Sequence, residues 1–313
     1  MEKIKTAALI GAGAVGSYFI YCMFDSLGDD LMVIAEGERY ERLKKNGITI
    51  NGRVYPVNVK TPEEAAGADL VLVAVKYDGL REAADMTGRI VKDDTIVISL
   101  MNGLDSEKVI GEQCGMEHML YALMLIQAWR DEKGIRFDPD TTGGVRFGEK
   151  DVMDHTARTD LVEELFTRTG VHYEFEPDII PAMWLKFASN ISRNMPQALF
   201  GIGSGAYADS EHVALIMNRL YDEVTEVAKA KGIIIPPPSP ATISAWNNVK
   251  KSARFSTLQD LDAKRHTETD MFLGVLLELA KEENVSTPYC EFMYHAIKTL
   301  EQKNDGLFDY GDN

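Results

Sequence analysis

The chain has 313 residues, of which 45% are apolar and 26% charged, a balance that excludes extensive disorder and suits two ordinary domains. Its 33 basic and 49 acidic residues give a net charge of −16, which argues against a large surface for nucleic acid or an anionic membrane. The three cysteines form no C-x-x-C pair, so we expect free thiols in a reducing cytoplasm, with neither a disulfide framework nor a zinc site.

The N-terminal segment predicts a strand over Ala7–Ile10, then a glycine-rich turn and a helix through Phe24. The turn has the G-x-G-x-x-G spacing and consists of Gly11, Ala12, Gly13, Ala14, Val15 and Gly16. The first glycine permits a tight turn, the second lets the backbone approach a pyrophosphate, and the third lets the helix pack closely on the strand. The start of the helix adds N–H groups and a positive dipole end. This context favours dinucleotide binding over a plain turn.

The second predicted strand, Leu31–Ala35, ends at Glu36, which lies 20 residues beyond Gly16. A carboxylate at this point can accept hydrogen bonds from both hydroxyls of an adenosine ribose, and it repels a 2′-phosphate. Glu36 therefore favours NAD. Arg39 and Arg42 follow closely, and a guanidinium turned toward the ribose could pair with a 2′-phosphate, so NADP remains open.

Further short apolar runs at Leu70–Val75 and Thr95–Leu100 predict buried strands, separated by segments long enough for helices. Two later runs, Gly143–Phe147 and Val171–Phe175, predict strands that extend the sheet in the antiparallel sense. No run reaches the ~18 to 20 apolar residues of a transmembrane helix. The fold class is therefore α/β, with an N-terminal Rossmann-type doubly wound sheet and a C-terminal all-helical domain.

Pro177 and Pro181 mark the change of texture, because the residue before a proline is disfavoured in a helix. We expect a dinucleotide-binding Rossmann domain over 1–176 and a helical substrate-binding domain over 177–313. The helices predicted in the second half are Ala182–Leu199, Ser210–Lys231, Pro240–Arg254, Glu268–Glu283 and Tyr289–Gln302. The glycines of 201–205 are predicted to end the first of these. The apolar stretch Met271–Leu279 suits either the core or the face of a homodimer.

A line of polar residues follows the first long helix of the second half. Lys186, Asn190 and Asn194 recur every four residues, and each step of four leaves only ~40° of drift around a helix. All three therefore project from one face. Asparagine is a poor residue for a helix interior, so this pattern favours a hydrogen-bonding surface in a cleft over an ordinary solvated face.

A second polar set lies around the start of a strongly apolar helix and comprises Ser256, Asp260 and Glu268. Thr267 and Asp270 fit a capping box, which would place Glu268 in the first helical turn. There its charge is favourable toward the helix dipole.

Together these residues resemble the ketopantoate reductase (2-dehydropantoate 2-reductase) family over nearly the whole chain. The segments that carry the resemblance are the glycine turn, Val75-Lys76, Met101-Asn102-Gly103-Leu104, Trp184-Leu185-Lys186 with Asn190 and Asn194, and Ser256, Asp260 and Arg265–Glu268. The family reduces a 2-keto acid with a nicotinamide cofactor, in a cleft between a Rossmann domain and a helical domain. The resemblance implies a cytoplasmic enzyme that reduces 2-dehydropantoate to pantoate in pantothenate and coenzyme A biosynthesis.

The resemblance also implies a role for each matching residue. Its catalytic residues would be the general acid Lys186 and, as hydrogen-bond partner of the substrate oxygen, Glu268. Its substrate-binding residues would be Asn190, Asn194 and Ser256, with support from Asp260. Besides the glycine turn, its cofactor-lining residues would be Lys76 and Asn102. Hydride transfer to a ketone leaves negative charge on oxygen, which a lysine ammonium can stabilise and then protonate.

Three departures from the family pattern leave alternatives open. Glu36 stands where most members have arginine, so the cofactor is NADP by resemblance and NAD by this residue. Gly79 stands where many members have glutamine. The segment 118–137 differs from the small, Thr- and Gly-rich strand usual there, which leaves open another branched 2-keto acid or a β-hydroxy acid. A nucleotide-sensing protein without turnover is a third hypothesis, which the Lys–Asn–Asn line disfavours.

Overall fold

A computed structural model describes residues 3–240, 243–244 and 248–310. The chain divides into two compact units, Met1–Ile179 and Ile180–Asn313. The division lies three residues beyond the cut expected after residue 176.

The N-terminal unit contains a mixed sheet of eight strands. Its strand order is β12-β11-β8-β7-β6-β1-β2-β5. The first six strands of this sheet in chain order are β1 (Ala7–Ile10), β2 (Leu31–Ile34), β5 (Asn58–Lys60), β6 (Leu70–Val73), β7 (Ile96–Ser99) and β8 (Met119–Leu125), all mutually parallel. The two others are β11 (Gly144–Gly148) and β12 (Tyr173–Phe175), of which β11 is antiparallel to β8 and parallel to β12. The predicted doubly wound sheet with antiparallel additions is confirmed.

The central strands are buried on both faces. Ala7 and Leu9 belong to one hydrophobic cluster, whereas Ala8 and Ile10 belong to the cluster on the opposite face. This alternation follows from the period of two along a strand. Helices cover both faces, and the helices of this unit are α1 (Ala14–Leu27), α2 (Gly37–Asn46), α3 (Leu80–Ile90), α4 (Ser106–Cys114) and α5 (Ala157–Thr169).

A second, four-stranded sheet has the order β4-β3-β10-β9. Its strands are β3 (Ile48–Ile50), β4 (Arg53–Tyr55), β9 (Ala128–Asp131) and β10 (Gly134–Phe137). The segment 118–137, unusual in sequence, thus continues from β8 of the main sheet into the hairpin β9–β10. Tyr18 of α1 meets Phe137 edge-to-face at a ring distance of 5.6 Å, so this small sheet packs against α1.

The described part of the C-terminal unit is helical. Its helices are α6 (Ile179–Phe200), α7 (Ala206–Asp209), α8 (Glu211–Ala230), α9 (Ser256–Asp262), α10 (Val275–Glu282) and α11 (Pro288–Asn304), with a π-helical turn at Asp270–Gly274 directly before α10. The predicted helix Pro240–Arg254 lies partly outside the described residues, and it is wrong for 248–254, which form turns and coil. Backbone bonds from Ser204 and Gly205 to this coil satisfy its carbonyl groups instead.

The core of the helical unit decides one of the alternatives above. Met271, Phe272 and Leu276 are at most 1% exposed, so the Met271–Leu279 stretch serves mainly the core. Gly201 has φ +65° and ends α6, as predicted for the glycine-rich run. Among the helices described, none combines the length and apolar character needed to cross a bilayer.

Candidate active site

The glycine turn has the backbone geometry that its spacing predicts. Gly11 has φ +101°, and a Cβ there would collide with the carbonyl oxygen of Ala74. A Cβ on Gly16 would collide with the carbonyl oxygen of Gly11. Around Gly13, by contrast, a Cβ would meet nothing within 4 Å. Two glycines are therefore required for packing within the unit, whereas the third leaves open space beside the turn.

That open space lies at the start of α1. Gly13 is the N-cap residue and has no side chain that could satisfy the first N–H groups of the helix. Such N–H groups, with the positive end of the helix dipole, favour a phosphate. The residues present thus fit the pyrophosphate of a dinucleotide.

The other predicted cofactor residues lie at the same edge of the sheet. β1 is parallel to β2 on one side and to β6 on the other, with Ile10 opposite Ile34 and Val73. Glu36 follows β2 and Lys76 follows β6, and Asn102 follows β7, the next strand outward. Carboxyl ends of parallel strands meet at one edge, so the sheet brings the glycine turn, Glu36, Lys76 and Asn102 together.

Sequence reasoning missed a polar contact between the loops after β6 and β7. The Tyr77 hydroxyl donates a hydrogen bond to Oδ2 of Asp105 at 2.7 Å. Burial raises the pKa of Asp105, and the bond from Tyr77 opposes that rise. The contact fixes the loop that carries Asn102 against the turn that begins after Lys76. No sequence spacing indicated this pair, because its members are 28 residues apart.

In the helical unit, α6 carries the predicted polar line. Lys186 and Asn190 are half-buried, and Asn194 is only 9% exposed. These side chains are therefore not part of a fully solvated face, and their position in a cleft stays a prediction. Their buried neighbours along α6 include Phe187 and Ile191.

Gln197 extends this line and connects it to Ser256. It is fully buried, its Nε2 donates to the carbonyl oxygen of Ala253 at 3.0 Å, and its Oε1 accepts from the Phe255 N–H at 2.5 Å. These bonds hold the coil before α9 against α6. Gln197 was missed, although its spacing of eleven residues from Lys186 places it only ~20° around the helix and could have identified it.

Asp260 and Glu268 occupy the segment between α9 and the π-helical turn. Asp260 is 6% exposed, and its Oδ1 accepts from Nε of Arg265 at 2.8 Å. The backbone N–H of Arg265 also donates to the Asp260 carbonyl at 2.8 Å. Asp260 therefore holds the loop that leads to Glu268, and its role in supporting a substrate site stays a prediction.

The predicted capping box of Thr267 and Asp270 is wrong. The Thr267 hydroxyl accepts from the Thr269 N–H at 3.2 Å and donates to Oε1 of Glu301 at 2.6 Å. Asp270 bonds to Tyr294 and Lys298 of α11 instead. These contacts place Glu268 immediately before the helix, where its carbonyl accepts from the Phe272 N–H at 3.1 Å.

Aromatic packing brings the lysine and glutamate segments of the helical unit together. Phe187, the neighbour of Lys186, packs against Phe272, one turn beyond Glu268, at a ring distance of 6.0 Å. Both rings are buried. The predicted residues thus form two sets, one at the sheet edge of the N-terminal unit and one around α6 in the helical unit.

A separate polar group lies on the surface of the N-terminal unit. His155, Asp160 and Glu163 place one ligand atom each within 4.8 Å of one another. The His155 ring stacks on Phe175 at 3.9 Å, and its Nδ1 lies 3.4 Å from Glu163. The stacking on Phe175 and the contacts with the two carboxylates hold the His155 ring in place within this surface cluster.

The fold and the glycine turn define a Rossmann-type nucleotide-binding protein with an added helical unit. Two family models match the chain: ketopantoate reductase PanE/ApbA over residues 7–151, and its C-terminal domain over residues 178–301. The chain therefore belongs to the ketopantoate reductase PanE/ApbA family of oxidoreductases, as the sequence resemblance indicated.

Similar proteins share the full length of the chain. A 2-dehydropantoate 2-reductase of Pyrococcus horikoshii is 26% identical over 95% of this chain and 98% of its own. A PanE/ApbA family ketopantoate reductase from Ralstonia eutropha has the same fold, with a TM-score of 0.82, 21% identity, and coverage of 96% and 99%. D-mandelate dehydrogenase, solved with NADH and anilino(oxo)acetate, also has this fold, with a TM-score of 0.81, 20% identity, and coverage of 96% and 99%.

Proposed function

We propose that this protein reduces 2-dehydropantoate to pantoate with a nicotinamide dinucleotide, as part of pantothenate and coenzyme A biosynthesis. The observation that carries the proposal is the half-buried line of Lys186, Asn190 and Asn194 on α6, joined through Gln197 to the segment of Ser256. The open space at Gly13 supports the nucleotide part of the proposal. Full-length likeness to a 2-dehydropantoate 2-reductase supports the choice of substrate.

The chemistry follows from the types of residue in the helical unit. Negative charge develops on the ketone oxygen as hydride reaches its carbon, and the Lys186 ammonium stabilises that charge and donates the proton. Glu268 accepts a hydrogen bond from the hydroxyl being formed. Asn190, Asn194 and Ser256 hold the hydroxyl and carboxylate of the substrate, and orientation of this kind lowers the entropic part of the barrier.

The N-terminal unit would bind the dinucleotide. The glycine turn and the start of α1 would hold the pyrophosphate, Glu36 would face the adenosine ribose, and Lys76 and Asn102 would line the nicotinamide half. When bound, the nicotinamide supplies the hydride. Both NADH and NADPH are candidates at this level, since Glu36 favours the first and the family resemblance the second.

The main alternative keeps the reaction and changes the keto acid. The structural likeness to D-mandelate dehydrogenase, an enzyme with an aromatic substrate, favours a 2-keto acid with a larger side chain as the second candidate. A β-hydroxy acid is a further version of this alternative. A nucleotide-binding protein without turnover remains the third, and it predicts binding without oxidation of either reduced cofactor.

A four-way assay tests the proposal and separates the candidates. Purified full-length protein is mixed with NADH or NADPH and with 2-dehydropantoate or phenylglyoxylate, and kcat/KM is measured for each pair. We expect the highest kcat/KM with 2-dehydropantoate. A higher value with phenylglyoxylate would select the alternative substrate. Binding of the dinucleotide without oxidation by any keto acid would overturn the catalytic proposal.

A further inference from the structure

A cluster of charges surrounds Glu36 in the N-terminal unit. Arg89, near the end of α3, lies between three carboxylates, and we call Arg89 with Glu36, Glu63 and Asp85 the Arg89 cluster. Its Nη2 donates to Oε1 of Glu36 at 2.8 Å and its Nη1 to Oε2 at 3.2 Å. The guanidinium therefore binds both oxygens of the Glu36 carboxylate, which lies between β2 and α2.

The remaining donors of Arg89 are also used. Nε donates to Oε1 of Glu63 at 2.7 Å, Nη2 donates to that same oxygen, and Nη1 donates to Oδ2 of Asp85 at 3.4 Å. A guanidinium has five N–H groups, and these contacts account for all five. An incoming phosphate could bind Arg89 only by displacing one of the carboxylates.

The charge balance of the Arg89 cluster opposes a phosphate as well. The Arg89 cluster contains three carboxylates and one guanidinium, so its acidic groups outnumber its basic group. The bond from Arg89 lowers the pKa of Glu63, which keeps that carboxylate ionised. A ribose 2′-phosphate carries about two negative charges near neutral pH. The Arg89 cluster offers it neither a net positive charge nor an unused hydrogen-bond donor of Arg89.

Glu36 nevertheless keeps capacity for a neutral ligand. An ionised carboxylate has about four acceptor positions, of which Arg89 uses two. The Glu36 side chain is 40% exposed and follows β2 at the same sheet edge as the glycine turn. The Glu36 oxygens that Arg89 holds in place can therefore accept one hydrogen bond from each of two ribose hydroxyls.

We propose that Arg89 is a positioning residue for cofactor selection: it fixes Glu36 toward the ribose hydroxyls, and the chain therefore selects NADH over NADPH. The inference rests on the proposed function, in which the glycine turn binds a nicotinamide dinucleotide. Arg39 and Arg42 on α2 offer the opposite outcome. Both lie within the first six residues of α2, which begins directly after Glu36, and a ribose 2′-phosphate bound by them would favour NADPH.

Calorimetry on the full chain tests this selection without any chemical step. The probes are ADP-ribose, its 2′-deoxy form and its 2′-phospho form, and the variants are Arg89→Ala, Arg89→Lys and Glu36→Gln. Arg53→Ala is the matched control, because Arg53 makes an equivalent two-point pair with Asp25 at 2.8 and 2.9 Å elsewhere in the unit.

We expect the wild type to bind ADP-ribose at least about tenfold more tightly than either modified form. Arg89→Ala should remove most of the penalty for the 2′-deoxy form, because an unfixed Glu36 gains little from the 2′-hydroxyl. Arg89→Lys should retain part of that penalty, since it keeps the charge but not the two-point geometry. In the reductase assay, Arg89→Ala should raise the KM for NADH and leave kcat nearly unchanged. Arg53→Ala should change none of these values.

Two results would overturn the inference while leaving the proposed function intact. One is tighter binding of the 2′-phospho form by the wild type, which would assign selection to Arg39, Arg42 or Arg89 as phosphate ligands. The other is an unchanged 2′-deoxy penalty in Arg89→Ala. Failure of every ADP-ribose form to bind the wild type would instead contradict the proposed function.

Discussion

Two carboxylates near the candidate site residues are each held by a hydrogen bond from a neighbouring side chain. Asp260 is held by Arg265 and Asp105 by Tyr77, so one oxygen of each of these two carboxylates accepts a hydrogen bond of 2.8 Å or less. Buried charges without partners are costly, and each pair reduces that cost while setting a direction for a loop. The residues that hold these carboxylates are therefore as necessary to the proposed site as the residues that would touch the substrate.

Replacement of Lys186 by methionine should lower kcat by about 10²–10⁴-fold, because the general acid is lost while the length of the side chain is kept. Dinucleotide affinity, measured by calorimetry, should change little. The control is Lys229→Met, a matched substitution at a position 71% exposed on α8. Equal kcat values for wild type and Lys186→Met would remove Lys186 from the mechanism.

The stability of the protein should depend on pH through Asp105. Burial raises the pKa of Asp105 above its ordinary value near 3.8, so the folded chain holds this proton more tightly than the unfolded chain. The contribution of Asp105 to stability is then full below about pH 3.8 and decreases as pH rises through the raised pKa. In urea unfolding, the stability of Asp105→Asn relative to wild type should increase from pH 4.5 to pH 7.

A second variant checks the same pair from the other side. Tyr77→Phe removes the donor that stabilises the charged form of Asp105, and it should lower stability at pH 7 by about 1–3 kcal/mol. The loss should shrink toward pH 4.5. A difference that does not vary with pH would show that Asp105 does not titrate in this range.

Among the elements, α6 carries most of the candidate residues of the helical unit. It carries the Lys186 line on the same helix as Gln197, whose two hydrogen bonds hold the coil before Ser256. One helix thereby fixes residues that lie 56 and 58 positions further along the chain. Sites built on helices are more accurately positioned than sites on loops. The two hydrogen bonds from Gln197 fix this coil to the helix.

Gln197→Leu should leave the Phe255 N–H without its partner, at about 1–3 kcal/mol, while the Ala253 carbonyl keeps the bond from the Ser204 N–H. We expect a lower midpoint in urea unfolding and a KM for the keto acid raised more strongly than kcat is lowered. Gln259→Leu is the control, because exposed Gln259 also bonds a carbonyl of this region, that of Arg254, at 2.6 Å. An unchanged KM in a stably folded Gln197→Leu protein would contradict the positioning role.

The sequence predicted those elements whose pattern is local. The runs at Ala7–Ile10 and Leu70–Val73 are apolar at every position, which is typical of strands buried on both faces. The strands Arg53–Tyr55 and Ala128–Asp131 were missed because they are short and largely exposed, so they lack the apolar run that marks a buried strand. The coil at 248–254 was mistaken for helix because its tertiary hydrogen bonds outweigh local propensity.

In the candidate site, too, the local patterns could be predicted from the sequence, whereas the contacts between distant residues could not. The glycine turn and the Lys186 line follow from spacing, because each lies within one turn or one helix. The sequence analysis assigned no role to Arg89, because its partner Glu36 lies 53 residues away and only the fold brings the two together. The contact of Thr267 with Glu301 across 34 residues was hidden in the same way, which is why the capping box was wrong.

At the scale of the whole molecule, the three cysteines should be chemically inert in the native state. Burial raises the pKa of Cys22 and Cys114 to about 11 each, and it raises the pKa of Cys290 further. The reactive thiolate is then about 100-fold scarcer than for an unperturbed thiol. Native protein at pH 7.5 should show no iodoacetamide adducts by mass spectrometry within the time that free cysteine reacts fully.

Unfolding in urea supplies the control, since all three thiols should then react. Rapid labelling of one cysteine in the native protein would show that its surroundings open more easily than the structure indicates.

Formation of a homodimer stays a prediction at this scale. The helical stretch first considered for it is mostly occupied by the core of its own unit.

The π-helical turn at Asp270–Gly274 is equivalent to one extra residue accommodated without breaking the helix. Removing one residue from this turn would let an ordinary α-helix form with the segments on either side in nearly their present relative rotation, because a π-helical turn takes up an added residue without turning its flanks. The side chains inside the turn would take new directions, whereas Glu268 on its N-terminal side would keep its own. The same removal from the regular helix α10 would instead rotate the two flanks against each other by about 100°.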